Sequence, residues 1–155
     1  MEKQEFADRA QAMRERLYRT AYGYLGNRAD CLEAVDEAIF QAYRARKQLR
    51  QPAYFETWLT RILIHVCYKQ LRRQSKVEVT DTVPEQAAET LDALPLKEAL
   101  RRLPEALRQV IVLRYLTGLT LAETAQALGI PQGTVVTRQR RALALLRIEL
   151  EEDAI

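Results

Sequence analysis

The stretch TLAETAQALGIPQGTVVTRQRRALALLR, residues 120–147, leaves the chain little freedom in how it can fold. Thr120, followed three residues later by Glu123, predicts a capping box in which two orphan backbone N–H groups find partners at a helix start. Leu121, Ala125 and Leu128 form the apolar stripe of the short helix behind it. Gly129 tolerates a left-handed backbone, and Pro131 keeps the helix from resuming. Gln132 and Gly133 lead to Thr134, the expected cap of a second helix. Its Val135, Leu143 and Leu146 should face inward while Thr137, Arg138, Arg140 and Arg141 point out. Two short helices joined by a tight glycine-containing turn form a helix-turn-helix, which sets its second helix in the DNA major groove. No Asp or Glu lies between Thr124 and Ile148, a span that holds Arg138, Arg140, Arg141 and Arg147. Such a surface suits a polyanion, because a guanidinium grips phosphate or a guanine edge through two parallel hydrogen bonds. A solvated basic helix packed on its neighbour would explain the charge, but not the agreement of turn, caps and charge.

Nearer the N-terminus, Leu17, Ala21 and Leu25 recur at helical spacing until Gly26-Asn27 breaks the pattern. Asp30 with Glu33 reads as the next helix start, and Leu32, Val35, Ile39 and Ala42 then supply a core-facing stripe. Glu33, Asp36, Glu37 and Gln41 lie largely off that stripe. A solvated acidic face is the ordinary explanation, but Phe40 in the midst of it points to a partner-binding surface.

Pro52 interrupts helicity in residues 47–54, since the residue before a proline is steered away from the helical region. In FETWLTRILIHVCYKQLRR, residues 55–73, Leu59, Ile62, Leu63, Val66 and Cys67 share one face, and Trp58, Arg61, His65, Tyr68, Lys69 and Arg72 fall on another. Rings interleaved with cations suit single-stranded nucleic acid, because bases stack on the rings while cations follow the phosphates. Trp58 alone would be a core residue and His65 alone a surface histidine; their shared face carries the reading.

Charge divides the chain. Residues 1–75 hold 14 Lys/Arg against 9 Asp/Glu, residues 76–96 hold 1 against 5, and residues 97–155 hold 9 against 7. Two basic lobes therefore flank an acidic connector. The connector loses the helical stripe around Pro84 and Pro95, and Val77, Val79 and Val83 offer strand-like alternation with nothing nearby to pair it. From Lys97 a helical pattern resumes through Leu100, Leu103 and Leu107, with Pro104 placed in the first turn of a new helix. It continues through Val110, Ile111, Leu113 and Leu116 to Gly118. The expected fold is all-α: a helical domain over 1–75, a flexible acidic linker over 76–96, and a helix-turn-helix domain over 97–155.

Several classes drop out. MEKQEFADRA has no apolar signal core and no apolar run approaches the length of a span, so the expectation is a cytoplasmic protein with no membrane insertion. Cys31 and Cys67, with a single histidine in the chain, suggest neither zinc nor a disulfide framework. Without a glycine-rich phosphate loop or a set of nucleophile, base and orienting group, neither an enzyme nor a cofactor is expected.

Three segments in this order, residues 17–44, 55–73 and 103–147, resemble the extracytoplasmic-function sigma factors, the small specificity subunits of bacterial RNA polymerase. The resemblance implies that the first domain docks on the polymerase clamp and opens the minus-ten element, while the second reads the minus-thirty-five element. It implies core RNA polymerase, promoter DNA and an anti-sigma factor as partners. Position by position, it assigns Asp36, Glu37, Phe40 and Gln41 to polymerase docking. Tyr54, Trp58, Arg61, His65, Lys69 and Arg72 fall to strand opening, and Thr134, Thr137, Arg138, Gln139, Arg140 and Arg141 to duplex DNA. The family often has asparagine where His65 stands, a basic residue at Val136 and arginine at Leu143, so no promoter sequence carries over from a relative. The connector's length is adequate, since 21 residues reach at most about 70 Å, roughly the span of two helical turns between promoter elements. The other reading is a stand-alone helix-turn-helix regulator with an N-terminal sensing or dimerisation domain, which would bind its operator without polymerase.

Overall fold

A computed structural model describes residues 1–77 and 94–153. Among the described residues, seven α-helices span Lys3–Leu25 (α1), Arg28–Arg44 (α2), Phe55–Val77 (α3), Leu94–Arg102 (α4), Glu105–Ile111 (α5), Leu121–Leu128 (α6) and Gln132–Asp153 (α7). Val112–Thr117 prolongs α5 as a π-helical turn. Short 3-10 turns at Arg46–Gln48 and Pro52–Tyr54 flank the break expected before Pro52. Val77 closes α3; Val79, Val83 and most of the expected linker lie outside the described residues.

The first lobe is α1, α2 and α3 packed on one another. Phe6, Ala10, Met13, Leu17, Ala21 and Tyr24 recur every three or four residues along α1 and are all buried. Phe55, Leu59, Leu63 and Cys67 of α3 face them and are fully buried. In α2 the buried stripe is Cys31, Ala34, Val35, Ala38 and Ala42. The pattern expected from Leu32, Val35, Ile39 and Ala42 is thus turned by about one residue, and Leu32 stays 40% exposed. The small side chains of Ala34 and Ala38 let α2 come close to its neighbours, which a count of large hydrophobics alone does not anticipate. The cap also differs: Asn27 accepts from the Asp30 N–H at 2.9 Å, so the helix begins at Arg28 and not at Asp30.

In the second lobe, Ala99, Leu100, Leu103, Leu107 and Ile111 of α4 and α5 pack on Ala142 and Leu146 of α7. Val110, Ala125 and Val135 form a smaller cluster that joins α5, α6 and α7. Ala142 takes the inward position expected of Leu143, which is 41% exposed. Val135, Ala142 and Leu146 follow the spacing of four and three more closely.

The lobes touch. Val112, Leu113, Leu119 and Ala127 of the second lobe belong to the same buried cluster as α1, α2 and α3. The hydroxyls of Thr20 and Thr117 meet in this interface. Arg16 and Arg19 donate from their Nε atoms to the carbonyls of Thr117 and Leu116, each at 3.0 Å.

Candidate nucleic-acid interface

The helix-turn-helix is built locally. Thr120 accepts from the Glu123 N–H at 3.1 Å and Glu123 accepts from the Thr120 N–H at 2.9 Å, a complete capping box. At the other end of α6, Gly129 has φ +69°, a conformation that an L side chain strains to adopt. Helix α7 begins at Gln132, two residues before Thr134, because the Pro131 carbonyl already accepts from Thr134 at 3.0 Å and Val135 at 3.2 Å.

With about 100° between successive residues, Thr134, Thr137, Arg138 and Arg141 share one side of α7, about a third of a turn round from the buried Val135, Ala142 and Leu146. Thr137, Arg140 and Arg141 are exposed, while Thr134 and Arg138 are half-buried. Arg140 stands to one flank. Gln139 turns the other way: it lies beside the packed stripe, half-buried, and its Oε1 accepts from Arg114 Nε at 2.9 Å. Arg114 also donates to the Leu119 carbonyl at 2.7 Å, so one guanidinium joins α7 to the turn that precedes α6. Gln139, which the resemblance places among the residues for duplex DNA, is thus tied to Arg114 in this structure.

On α3, Arg61, His65, Lys69 and Arg72 recur every three or four residues and are all exposed. Trp58 stands at the head of this row, half-buried, with its ring 6.0 Å from that of Phe55. Tyr54 is 45% exposed on the preceding turn. Arg9 steadies that turn, donating to the Pro52 carbonyl at 2.8 Å with its guanidinium 4.7 Å from the Phe55 ring. Tyr68, on the flank of the row, is half-buried and accepts a hydrogen bond from Gln109 of the second lobe. Burial raises its phenol pKa above the ordinary value.

The α2 face lies next to this row. Asp36 and Glu37 are exposed and Phe40 is 54% exposed with the Arg44 guanidinium 5.5 Å from its ring. Asp36 is held by Arg14 of α1 at 2.9 Å, and Glu37 accepts from Gln41 at 2.8 Å. A groove of about 520 Å³ runs between Asp36, Glu37 and Gln41 on one wall and Lys69, Gln70 and Arg73 on the other. The two faces assigned to different partners are therefore neighbours. Arg114, Arg16 and Arg19 carry no local mark as organising residues, because each acts on a carbonyl or amide whose position depends on the fold.

Among the described residues no cluster of His, Cys, Asp and Glu is arranged to hold a metal, and no helix is long and apolar enough to cross a membrane. Two helical lobes, one with an exposed cation row and one with a helix-turn-helix, define a DNA-binding transcription protein. The family profile of sigma-70 region 2 matches residues 10–77, and that of sigma-70 region 4 matches residues 99–147. The chain is 34% identical over 147 residues to the RNA polymerase sigma factor SigV of Bacillus subtilis, spanning 88% of this chain and 85% of that relative. It is 28% identical over 167 residues to ECF RNA polymerase sigma factor SigW of the same organism, spanning 95% and 89%. In fold it is similar to the sigma factor RpoE of Bartonella quintana, solved with the anti-sigma factor NepR. That likeness has a TM-score of 0.77 at 21% identity, covering 95% of this chain and 97% of that one. The chain belongs to the extracytoplasmic-function sigma factors.

Proposed function

We propose that this sigma factor divides promoter recognition between its lobes, residues 1–75 opening the minus-ten element and residues 97–155 reading the minus-thirty-five element, with residues 76–96 joining them. The observation that carries the division is the unbroken exposed row of Arg61, His65, Lys69 and Arg72, headed by Trp58, on a lobe separate from the helix-turn-helix. Three cations and a histidine along one helix follow a sugar-phosphate backbone, and Trp58 with Tyr54 supplies ring faces on which unstacked bases rest, each worth about 1–3 kcal/mol.

The α2 face, with Asp36, Glu37, Phe40 and Gln41, is the docking surface for core polymerase. Phe40 is the anchor, since a large exposed ring surrounded by polar groups buries apolar area only when a partner covers it. On α7, Thr134, Thr137, Arg138 and Arg141 meet the duplex and Arg140 reaches the flanking backbone; Gln139 positions the helix through Arg114. An anti-sigma partner is proposed from the likeness to a sigma factor solved with one. The protein acts by binding, without a reaction of its own.

The test is transcription from a promoter library by core polymerase supplied with the protein. Trp58→Ala, and separately Lys69→Ala with Arg72→Ala, should keep polymerase binding but reduce permanganate reactivity of promoter thymines. Phe40→Ala should weaken binding to core and leave the fold intact. Sequence-specific operator binding by the free protein, with no transcription on adding core, would favour the stand-alone regulator.

A further inference from the structure

We propose that α7 is a self-complementary surface on which a second copy of this chain docks antiparallel, covering the arginines offered to duplex DNA. The competition with DNA rests on the sigma-factor function; the pairing itself does not.

Helix α7 runs from Gln132 to Asp153, and its charges are sorted along its length. Arg138, Arg140, Arg141 and Arg147 occupy its middle with no acid among them, whereas Glu149, Glu151, Glu152 and Asp153 crowd its C-terminal end. No acidic residue stands in the first turn and no basic one in the last. This order runs against the helix dipole, which favours anions at the N-terminus and cations at the C-terminus. The acids therefore gain nothing from their own helix. A neighbouring helix of opposite direction supplies what is missing, because its cations lie beside these acids and its dipole opposes this one.

One stripe sets the register. At about 100° per residue, positions 138, 141, 145, 149 and 152 fall within about 80° of arc. They read Arg, Arg, Leu, Glu, Glu, a charge palindrome about Leu145. A two-fold axis at Leu145 sets position 141 against position 149 of the second copy, and 138 against 152. In such an isologous contact each pair is made twice. Leu145 is 39% exposed, a large apolar side chain in a charged stripe, and its own copy gives it an apolar neighbour. Arg141 is exposed and Arg138 half-buried, and among the described residues neither is paired with a carboxylate. A parallel pair would set arginine against arginine and glutamate against glutamate, which selects the antiparallel one. From 138 to 152 the stripe is about 21 Å long. A contact of that size with exposed ion pairs is weak and salt-sensitive. Its consequence is exclusion, since a duplex and a second copy compete for Arg138 and Arg141.

Sedimentation of the full chain over rising concentration tests the pairing. The average mass should climb above that of one chain, and fall back as salt rises from about 50 to 500 mM. Arg141→Glu alone, and Glu149→Arg alone, should each weaken association at least about tenfold, because each sets like charges opposite one another twice. Arg141→Glu combined with Glu149→Arg should restore it, since every opposition is again between unlike charges. A mixture of Arg141→Cys protein with Glu149→Cys protein should form the mixed disulfide on oxidation, while Arg141→Cys protein alone should not cross-link; Cys31 and Cys67 are fully buried and do not compete. A chain that stays monomeric at every concentration, a double variant no better than the single ones, or cross-linking confined to like positions overturns the proposal. A promoter duplex active with core polymerase should drive the pair apart. A duplex that binds and leaves the charge-swappable pair intact supports the pairing and strikes the assignment of Arg138 and Arg141 to DNA.

Discussion

Cys31 and Cys67 show what burial, as the largest of several influences, does to a side chain. Both thiols are fully buried, and desolvation raises each from 9.0 to about 12. In the unfolded chain they ionise near pH 9, while in the folded protein they keep their protons to about pH 12. Folded protein therefore binds more protons across that window, and stability falls as pH rises, by up to about 1.4 kcal/mol per pH unit for each thiol. Below pH 9 the contribution is fully present. Urea midpoints should stay level in this respect below pH 9 and decline above it, with a gentler decline for Cys31→Ala with Cys67→Ala; an equally steep decline in the variant would assign the effect elsewhere. At the same scale, Arg138→Ala and Arg141→Ala should each weaken promoter binding. A phosphate contact would lower the salt slope by about one, and a guanine contact would cost about 1–3 kcal/mol at one base position. Unchanged affinity and slope in both would remove this face from the DNA.

Helices of this chain differ in how openly the sequence announces them. Thr120, Glu123 and Gly129 were legible because a cap is a matter of a few adjacent residues, and α6 spans the expected interval. Thr120→Ala should cost about 1 kcal/mol, measured as a lower melting temperature. The stripe of α2 was misplaced because Ala34 and Ala38 count for little in a pattern of large hydrophobics, yet they sit where the neighbouring helices come nearest. Gln139 was assigned to duplex DNA by the resemblance, and only the fold reveals Arg114 beside it. Arg114→Met should therefore loosen α7 without touching the DNA face, weakening all promoters alike and lowering the stability of the second lobe. A change confined to one base position would instead return Gln139 to direct readout. The cation row on α3 was legible for the opposite reason, since its spacing on one helix needs no knowledge of a neighbour.

At the scale of the molecule, composition separated the lobes and said nothing of their contact, because Gly23 carries no local mark of the side chains that settle on it. The clusters that link α1, α3 and the π-helical turn imply that the lobes unfold together in one transition, whereas Gly23→Val should separate the melting into two steps by calorimetry. The arginine–carbonyl contacts of Arg16 and Arg19 have a further consequence. Apolar packing and hydrogen bonds to neutral carbonyls are held at short range and are screened little by salt, whereas the grip on phosphates weakens steeply as counterions accumulate. Disulfide cross-linking of a Thr20→Cys, Thr117→Cys variant, whose thiols replace the two hydroxyls that meet between the lobes, should then proceed at nearly constant speed between about 50 and 200 mM salt, an interval over which DNA affinity drops by orders of magnitude for proteins with many phosphate contacts. A cell losing water concentrates its ions. In that state the contacts between the lobes outlast the grip on phosphate.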